Sequence, residues 1–180
     1  MVYILLGVRQ KVIHGITADK GFYWGDYEFT TAAATGATDT SFRGGLTKYN
    51  TKSSSGVVDN LTTLEQVDDA VYVSDNTCRM PTKADFEELI ANTTSVWETL
   101  NGVNGRRFTS KTNGNSIFVP AASCCINGLV ASVGSGGYLW SSSLSENNPR
   151  NGWYLFFNSS KAEVANYNSR FNGFTVRAVL

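Results

Sequence analysis

The chain has 180 residues, and its 15 Lys and Arg balance its 15 Asp and Glu. This zero net charge argues against a nucleic-acid binder, which would show a basic excess. The length suffices for one domain whose core needs no disulfide or metal, and we predict a single domain over residues 1–180. Abundant Gly, Ser, Thr and Asn with few charges indicate a turn-rich fold that contains β-structure, not a helical bundle.

The N-terminal third combines strand-like runs with an irregular stretch. Apolar runs predict strands over 2–8 and 11–16, and alternating aromatics indicate a strand or an ordered loop over 21–29. Residues 30–58 show no periodicity, which predicts a long excursion of the kind that is unusual unless functional or well packed. The start of the chain is a poor signal peptide. No apolar run approaches the ~20 residues of a membrane span, so we expect no membrane insertion.

Two helices are expected in the middle of the chain. Apolar residues at helical spacing predict the first over 61–73, with a threonine near its start as the cap. The second should begin after Thr82, a good N-cap, with Asp85 at the third position as a variant capping box. It should end near Asn92. Its apolar face would be formed by Phe86, Leu89 and Ile90.

The second half of the chain predicts an antiparallel sheet. Between residues 94 and 122, three Asn-Gly pairs, each a strong turn signal, occur at 101–102, 104–105 and 113–114. Short strand-like pieces lie at 96–100, 106–110, 116–120, 138–140, 153–157 and 175–180. Regular βαβ alternation is missing, which disfavours a parallel nucleotide-binding sheet. The predicted class is therefore α+β, with two helices, a mainly antiparallel sheet and long irregular loops.

Residues 134–180 combine strand-like pieces with a dense set of Trp, Tyr, Phe, Asn, Ser and Arg side chains. The composition resembles an antibody paratope, where rigid aromatics supply contact area and small polar residues adapt. We predict a ligand-binding surface within about 138–174. Its candidate residues are Tyr138, Ser143, Glu146, Asn147, Arg150, Asn151, Trp153, Tyr154, Phe156, Asn158, Tyr167, Ser169, Arg170 and Phe171. Those in loops should be exposed: Glu146, Asn147, Arg150, Asn151, Tyr167, Ser169, Arg170 and Phe171.

The strand at 153–157 leaves two alternatives for this surface. Side chains alternate between the faces of a strand, so either the odd set (Trp153, Leu155, Phe157) or the even set (Tyr154, Phe156) faces the core. The central Leu155 favours the odd set inside, and the other set would then be displayed.

Catalytic and metal-binding patterns are weak. His14 is the single histidine, and the adjacent carboxylates of Asp68-Asp69 and Glu87-Glu88 diverge by ~100° on a helix. A solvated helix face explains those pairs better than acid–base chemistry. Glu146 to Pro149 supplies one carboxylate plus amides, whereas Ca²⁺ takes six to eight oxygens. We therefore predict no catalytic residues, no metal and no cofactor.

The three cysteines do not form a disulfide framework. Cys78, Cys124 and Cys125 are odd in number, and adjacent residues bridge only with strain. Buried or half-exposed thiols are expected, and a bridge from Cys78 to one of the pair stays open.

Five segments in fixed order resemble a known family. They are Cys78 to Leu89 (CRMPTKADFEEL), Asn101 to Thr109 (NGVNGRRFT), Asn113 to Ala122 (NGNSIFVPAA), Gly137 to Ser143 (GYLWSSS) and Asn172 to Val179 (NGFTVRAV). Together they resemble the Fibrobacter succinogenes major paralogous domain, common in gut Bacteroidetes and their phages, over about residues 21–180. The chain departs from that pattern where an aromatic-Arg pair commonly follows Pro-Ala-Ala, at Ser123-Cys124-Cys125, and where Cys78 replaces the usual Trp.

The resemblance implies a C-type-lectin-like fold, shared with the variable proteins of diversity-generating retroelements. Those proteins carry their variable residues at the C-terminal end, and mutagenesis at template adenines favours Asn codons. Seven Asn lie between 141 and 174: Asn147, Asn148, Asn151, Asn158, Asn166, Asn168 and Asn172.

The implied function is non-enzymatic binding of a protein or glycan on a cell surface, by a phage receptor-binding or bacterial surface protein. The implied location is a phage particle or a bacterial cell surface, and no oligomeric state follows. Two alternatives remain. One is a surface adhesin or structural domain without diversification, and the other is an oxidase of the formylglycine-generating type, which shares the fold and uses cysteines.

Overall fold

The computed structural model describes residues 24, 27–31, 42, 44–126 and 129–180. Over these residues the class is α+β, as predicted, with two helices and mainly antiparallel sheets. The helices are α1 Ala70–Ser74 and α2 Lys83–Asn92, and the strands are β1 Thr93–Leu100, β2 Val103–Ser110, β3 Ser116–Pro120, β4 Cys124–Ile126, β5 Leu129–Ala131, β6 Gly136–Leu144, β7 Asn151–Asn158 and β8 Ala162–Ser169. The strands predicted at 2–8 and 11–16, most of 21–29, and His14 lie outside the described residues.

Strands β1, β2 and β3 form an antiparallel sheet in that order. The β1–β2 turn at Asn101-Gly102 has positive φ at both residues, which the tight hairpin turn requires. The prediction of a turn at Asn104-Gly105 is wrong, because this pair lies inside β2. Gly105 is needed there for close packing: a Cβ would come 2.4 Å from the Val119 carbonyl oxygen.

Strands β6, β7 and β8 form a second antiparallel sheet with apolar clusters on both faces. On one face Trp140 and Tyr154 pack with Phe174, and on the other Leu139 and Leu155 pack with Phe86, Phe108 and Phe157. The prediction that one set of residues in 153–157 faces the core while the other set is displayed is therefore wrong. Both faces are covered, so Tyr154, Leu155 and Phe157 are all buried, while Trp153 and Phe156 are half-buried.

Helix α2 confirms its prediction in detail. The Thr82 hydroxyl accepts from the Asp85 backbone N–H, and the Asp85 carboxylate accepts from the Thr82 N–H at 2.7 Å, which completes the capping box. The helix ends at Asn92. It is the longest helix in the described part of the chain, where no helix is long and apolar enough to cross a membrane.

The single helix predicted over 61–73 was largely wrong. Residues 61–65 are extended because they pair with β6: the Leu64 N–H donates to the Ser142 carbonyl at 2.8 Å. One turn of 3₁₀ helix follows at Gln66–Asp68 and then the short α1. Its cap is Asp69, whose carboxylate accepts from two backbone N–H groups, and not a threonine. A long-range pairing has overridden the helical spacing of the apolar residues.

The predicted strand at 175–180 is also not a continuous strand. Thr175 bridges Leu139 and Val179 bridges Arg79, so successive residues pair with different parts of the molecule. No regular ladder can form where each partner differs.

The described parts of 30–58 are irregular, as predicted, and they are firmly packed. Both oxygens of the half-buried Asp59 carboxylate accept backbone N–H groups, from Tyr49 at 2.7 Å and from Asn50 at 2.9 Å. Gly56 has a φ of 139°, and a Cβ there would meet the Leu46 carbonyl oxygen at 2.1 Å. This tight packing builds one wall of the cleft described next.

Candidate functional site: a polar cleft at the β6–β7 loop

The loop between β6 and β7, residues 145–150, is held by short-range hydrogen bonds. The Ser145 N–H donates to the Asn151 carbonyl at 3.0 Å, and the Asn151 N–H donates to the Asn148 carbonyl at 2.8 Å. The Asn151 side chain donates across to the Asn166 carbonyl of β8 at 2.8 Å. The loop is therefore fixed at both ends to the β6–β7–β8 sheet, which we call the central sheet.

A cleft of about 490 Å³ lies between this loop and the irregular segment 44–55. Lys52 and Arg150 supply its charged side chains, one from each segment. The Arg150 guanidinium lies 6.0 Å from the Phe42 ring centroid, and its Nε donates to the Asn148 side chain at 3.4 Å. The remaining lining residues are Gly44, Ser54, Ser55, Asn147 and Pro149. We name this space the larger lobe.

A second space of about 160 Å³, the smaller lobe, lies on the other side of the loop. It is lined by Thr62, Thr63, Lys83, Ser143, Leu144, Ser145, Glu146, Asn147 and Trp153. The Lys83 ammonium lies 4.2 Å from the Trp153 ring centroid, which is cation–π distance. The Ser143 hydroxyl accepts from the first N–H of α2 at 3.0 Å, so the helix start is anchored to β6.

The two lobes meet at Asn147, which lines both, and together they form what we call the polar cleft. Two contacts tie the loop to the opposite segment here. The Thr51 hydroxyl donates to the Glu146 carbonyl at 3.0 Å, and the Lys52 ammonium donates to the Asn147 carbonyl. Glu146 is the single carboxylate among the described residues that line the cleft.

The structure separates the fourteen predicted binding residues into three groups and one turn residue. Five line the polar cleft: Ser143, Glu146, Asn147, Arg150 and Trp153. Three are exposed or half-buried on one face of the central sheet: Tyr138, Phe156 and Tyr167. Five are buried: Asn151, Tyr154, Ser169, Arg170 and Phe171. Asn158 closes the β7–β8 turn, where its side-chain amide oxygen accepts from the backbone N–H groups of Ser160 and Lys161.

The expected exposure of Asn151, Ser169, Arg170 and Phe171 was wrong. Arg170 is 0% exposed: its guanidinium donates to the Tyr49 carbonyl at 3.0 Å and lies 5.0 Å from the Tyr27 ring centroid. Its burial lowers the pKa of the guanidinium. Phe171 packs edge-on against Trp24. These residues therefore belong to the buried frame and not to a displayed surface.

Tyr138, Phe156 and Tyr167 form a separate aromatic surface. Tyr138 packs against Phe156 with ring centroids 5.0 Å apart, and the exposed Tyr167 meets the buried Tyr154 edge-on at 5.5 Å. None of them lines the polar cleft. The predicted surface within 138–174 is thus divided between the polar cleft and this aromatic surface.

The cleft also contains residues that the sequence did not single out. Lys52, Ser54 and Ser55 come from the irregular excursion, while Thr62 and Lys83 come from segments assigned to helices. The available signal was the excursion itself, because a long aperiodic stretch in a compact domain is often functional. Nothing in the pattern indicated which C-terminal loop it would face.

The cysteine thiols lie away from the cleft. All three are free; Cys124 and Cys125 are buried and Cys78 is half-buried. Burial raises the pKa of Cys124 and of Cys125 to about 11, so neither carries an appreciable thiolate near neutral pH. In the described part of the chain, no group of three or more His, Cys, Asp or Glu side chains could hold a metal ion.

A scan against protein-family models, a search of curated proteins and a search of solved structures all found no match for this chain.

Proposed function

We propose that this chain is a non-enzymatic ligand-binding protein on a C-type-lectin-like scaffold, of the kind diversified by retroelements. It would recognise a protein or glycan on a cell surface, as a phage receptor-binding or bacterial surface protein. The observation that carries the proposal is the polar cleft. It brings together Ser143, Glu146, Asn147, Arg150 and Trp153, which the sequence selected as binding residues.

Rigid support favours recognition at this place. The cleft loop is fixed to β8 through Asn151, and its Arg150 carbonyl accepts from the N–H of the fully buried Arg170 at 2.9 Å. A preorganised surface loses less conformational entropy when a ligand binds. The exposed side chains of Glu146 and Asn147 can therefore vary while the frame beneath them stays constant.

Burial narrows the set of positions that diversification could use. Of the seven Asn in this region, Asn147 is exposed, whereas Asn151 and Asn172 are buried and hydrogen-bonded. Replacing a buried, bonded amide leaves its partners unsatisfied. We expect variation to be tolerated at Asn147 and opposed at Asn151 and Asn172.

The buried thiols support binding over oxidase chemistry. A cysteine that reacts with oxidants needs access and thiolate character. Cys124 and Cys125 have neither, since both are buried and the pKa of each is raised to about 11. Neither lines the polar cleft.

A saturation library on displayed protein tests the proposal. Glu146, Asn147 and Trp153 would be randomised, with Phe171 and Arg170 as buried controls, and each variant sorted for protease resistance and for binding to a panel of intact gut Bacteroidetes cells. We expect cleft variants to stay folded and to change apparent affinity by at least about tenfold, or to change which cells are bound. Folded cleft variants that all bind as the parent does would contradict the proposal.

The adhesin alternative is separated by gene context. A diversified protein requires a neighbouring reverse transcriptase gene and a template repeat matching the codons of 141–174 with extra adenines. If the locus has neither feature, the proposal of ligand binding stands and the proposal of diversification fails.

A further inference from the structure

A cavity of about 150 Å³, separate from the polar cleft, lies between α2, β3 and the C-terminal segment 175–179. We name it the apolar pocket. Four of its lining residues are buried members of one core cluster: Phe86, Val119, Leu139 and Leu155. Ile117 lines it too and is 39% exposed, so the pocket opens to solvent at β3. It shares no lining residue with either lobe of the polar cleft.

The size and lining of the apolar pocket select a small apolar occupant. All of its lining residues except Asp85 and Arg177 are apolar. Apolar cavities of about this volume take up molecules of the size of benzene, whereas a water molecule there needs two to four polar partners. Sites for drug-sized ligands are larger, at about 300–1,000 Å³. The pocket therefore matches one small ring or a chain of about six carbons.

The Asp85 carboxylate at this pocket is already fully used within the protein. It accepts from the Arg79 guanidinium at 2.6 and 3.3 Å, and from the N–H and the hydroxyl of Thr82 at 2.7 and 2.8 Å. A carboxylate has about four acceptor positions. An ammonium or hydroxyl group on a ligand would therefore find this acceptor occupied.

The other charged side chain of the pocket, Arg177, is available to a ligand. It is exposed and has no hydrogen bond or ion pair with any residue that the structure describes. The segment that carries it is anchored on both sides, because the Thr175 N–H donates to the Tyr138 carbonyl and the Val179 N–H donates to the Arg79 carbonyl. A guanidinium has five N–H donors in a planar fork that fits a carboxylate. The lining can therefore serve a head group that accepts hydrogen bonds and is negatively charged.

We propose that the apolar pocket binds a small hydrophobic carboxylate. Its hydrocarbon part lies among Phe86, Leu139 and Leu155, and its carboxylate lies against Arg177. Two sources carry this chemistry: a free short-chain or single-ring acid, and an apolar residue at the C-terminus of a peptide. The site is additional to the polar cleft and does not depend on the proposed function.

NMR titration of methyl-labelled protein tests the site, with the Val119 and Leu139 methyl signals as reporters. The probes are straight-chain carboxylates from butanoate to octanoate, each with the alcohol and the amine of equal length. We expect affinity to rise about fourfold for each added methylene and to level off at about six carbons in the chain. The carboxylate should bind about two- to fivefold more tightly than the alcohol or the amine, because an exposed ion pair adds little.

A short peptide that ends in leucine, as the free acid and as the amide, distinguishes the two sources. The free acid should bind more tightly than the amide, because only the acid can pair with Arg177. Binding of either the peptide acid or the free carboxylates at the reporter methyls supports the site, and the tighter of the two identifies the source.

Two variants separate the apolar and the charged contributions. Ile117→Trp should obstruct the opening and remove the methyl shifts, while Val96→Trp, at an exposed position of the same sheet outside the pocket, should bind as the parent does. Arg177→Gln should abolish the advantage of the carboxylate over the alcohol and leave alcohol binding unchanged, and Arg177→Lys should retain part of that advantage. Thermal unfolding verifies that each variant is folded.

Three results would overturn this inference. They are affinity that does not depend on chain length, amines that bind as tightly as carboxylates, and Ile117→Trp protein that binds as the parent does. Each of them leaves the proposed function standing, because that function is tested by cell binding through residues of the polar cleft. Conversely, cleft variants that all bind cells as the parent does leave the apolar pocket untouched.

Discussion

Gly137 shows how a single residue sets the packing of the central sheet. It lies in β6 directly opposite Phe157 of β7, whose ring covers it. A Cβ built at Gly137 would come 2.0 Å from the Phe157 ring, a distance that real contacts do not reach. Phe157 is fully buried and packs edge-on against Phe108. The ring therefore has no free space into which to retreat.

Replacing Gly137 with Ala should destabilise the fold by about 1–3 kcal/mol, the usual range for overpacking a core. The neighbouring Gly136→Ala is the matched control. Its Cβ would have nearest contacts of 3.3 Å, with the Ser132 Cβ and the Tyr138 ring, which small shifts can relieve. Urea unfolding of both variants gives the comparison. Equal stability losses would show that the Phe157 ring moves freely and that the packing argument is wrong.

Arg170 and Phe171 show what the sequence could not reveal at this scale. Arg and Phe in an Asn-rich turn are ordinary surface candidates, and local composition predicts exposure. Their burial comes from residues more than a hundred positions earlier: Arg170 donates to Tyr49, and Phe171 packs against Trp24. Only the fold brings those aromatics together with the C-terminal turn. The exposure of the Glu146 and Asn147 side chains was predictable because they lie in a hairpin loop, where the distant Thr51 and Lys52 contact their backbone carbonyls.

At the scale of elements, local signals were reliable and long-range pairings were not. Helix α2 was predicted from Thr82 to Asn92 because its cap, Asp85 and apolar face are all within one segment. The Asn101-Gly102 turn was predicted for the same reason. The segment 61–65 has apolar residues at helical spacing, yet it forms hydrogen bonds to β6, about eighty residues later. No local pattern contains that information.

The start of α2 gives a pH-dependent prediction. The Arg79 guanidinium donates to the Asp85 carboxylate at 2.6 Å, and with the Thr82 N–H it lowers the pKa of Asp85 to about 2. A carboxyl group with a lowered pKa stabilises the fold above its unfolded pKa of about 4, and this contribution is lost as the pH falls towards 2. Asp85→Asn should therefore cost about 1 kcal/mol at pH 7, a typical capping loss. The difference should shrink as the pH falls below about 4.

Glu88→Gln is the control for this experiment, since Glu88 is exposed on the same helix and should change stability little at any pH. Denaturant unfolding of the parent and both variants at several pH values between 2 and 7 would measure the three curves. A loss for Asp85→Asn that stays constant down to pH 2 would mean that the carboxylate charge does not stabilise the helix start.

At the scale of the whole molecule, the central sheet is covered on both faces and the C-terminal segment completes one of them. Phe174 packs with Trp140 and Tyr154, and Gly173 exchanges two backbone hydrogen bonds with Cys125. The class and most strands followed from the sequence, because turn signals and alternation are local. The placement of the irregular segment 44–55 against the β6–β7 loop did not, and that placement creates the polar cleft.

The labelling rates of the cysteine thiols report how often the fold around the C-terminal segment opens. Cys124 and Cys125 lie beside the C-terminal segment, are no more than 1% exposed and have thiol pKa values raised to about 11. Cys78 is half-buried. A thiol reagent at pH 8 should therefore label Cys78 first, and the other two only when the fold opens.

In a Cys78→Ser variant, native labelling should be slower than labelling in urea by about five thousandfold or more, the ratio set by an unfolding free energy of about 5 kcal/mol or more. Mass spectrometry of the labelled peptides gives the rate at each site. Because Cys125 exchanges hydrogen bonds with Gly173, weakening the C-terminal segment by Phe174→Ala should speed labelling of both buried thiols together. Fast labelling of Cys124 and Cys125 in the unmodified fold would mean that the C-terminal segment opens independently, and that the cleft rests on a frame less rigid than its hydrogen bonds indicate.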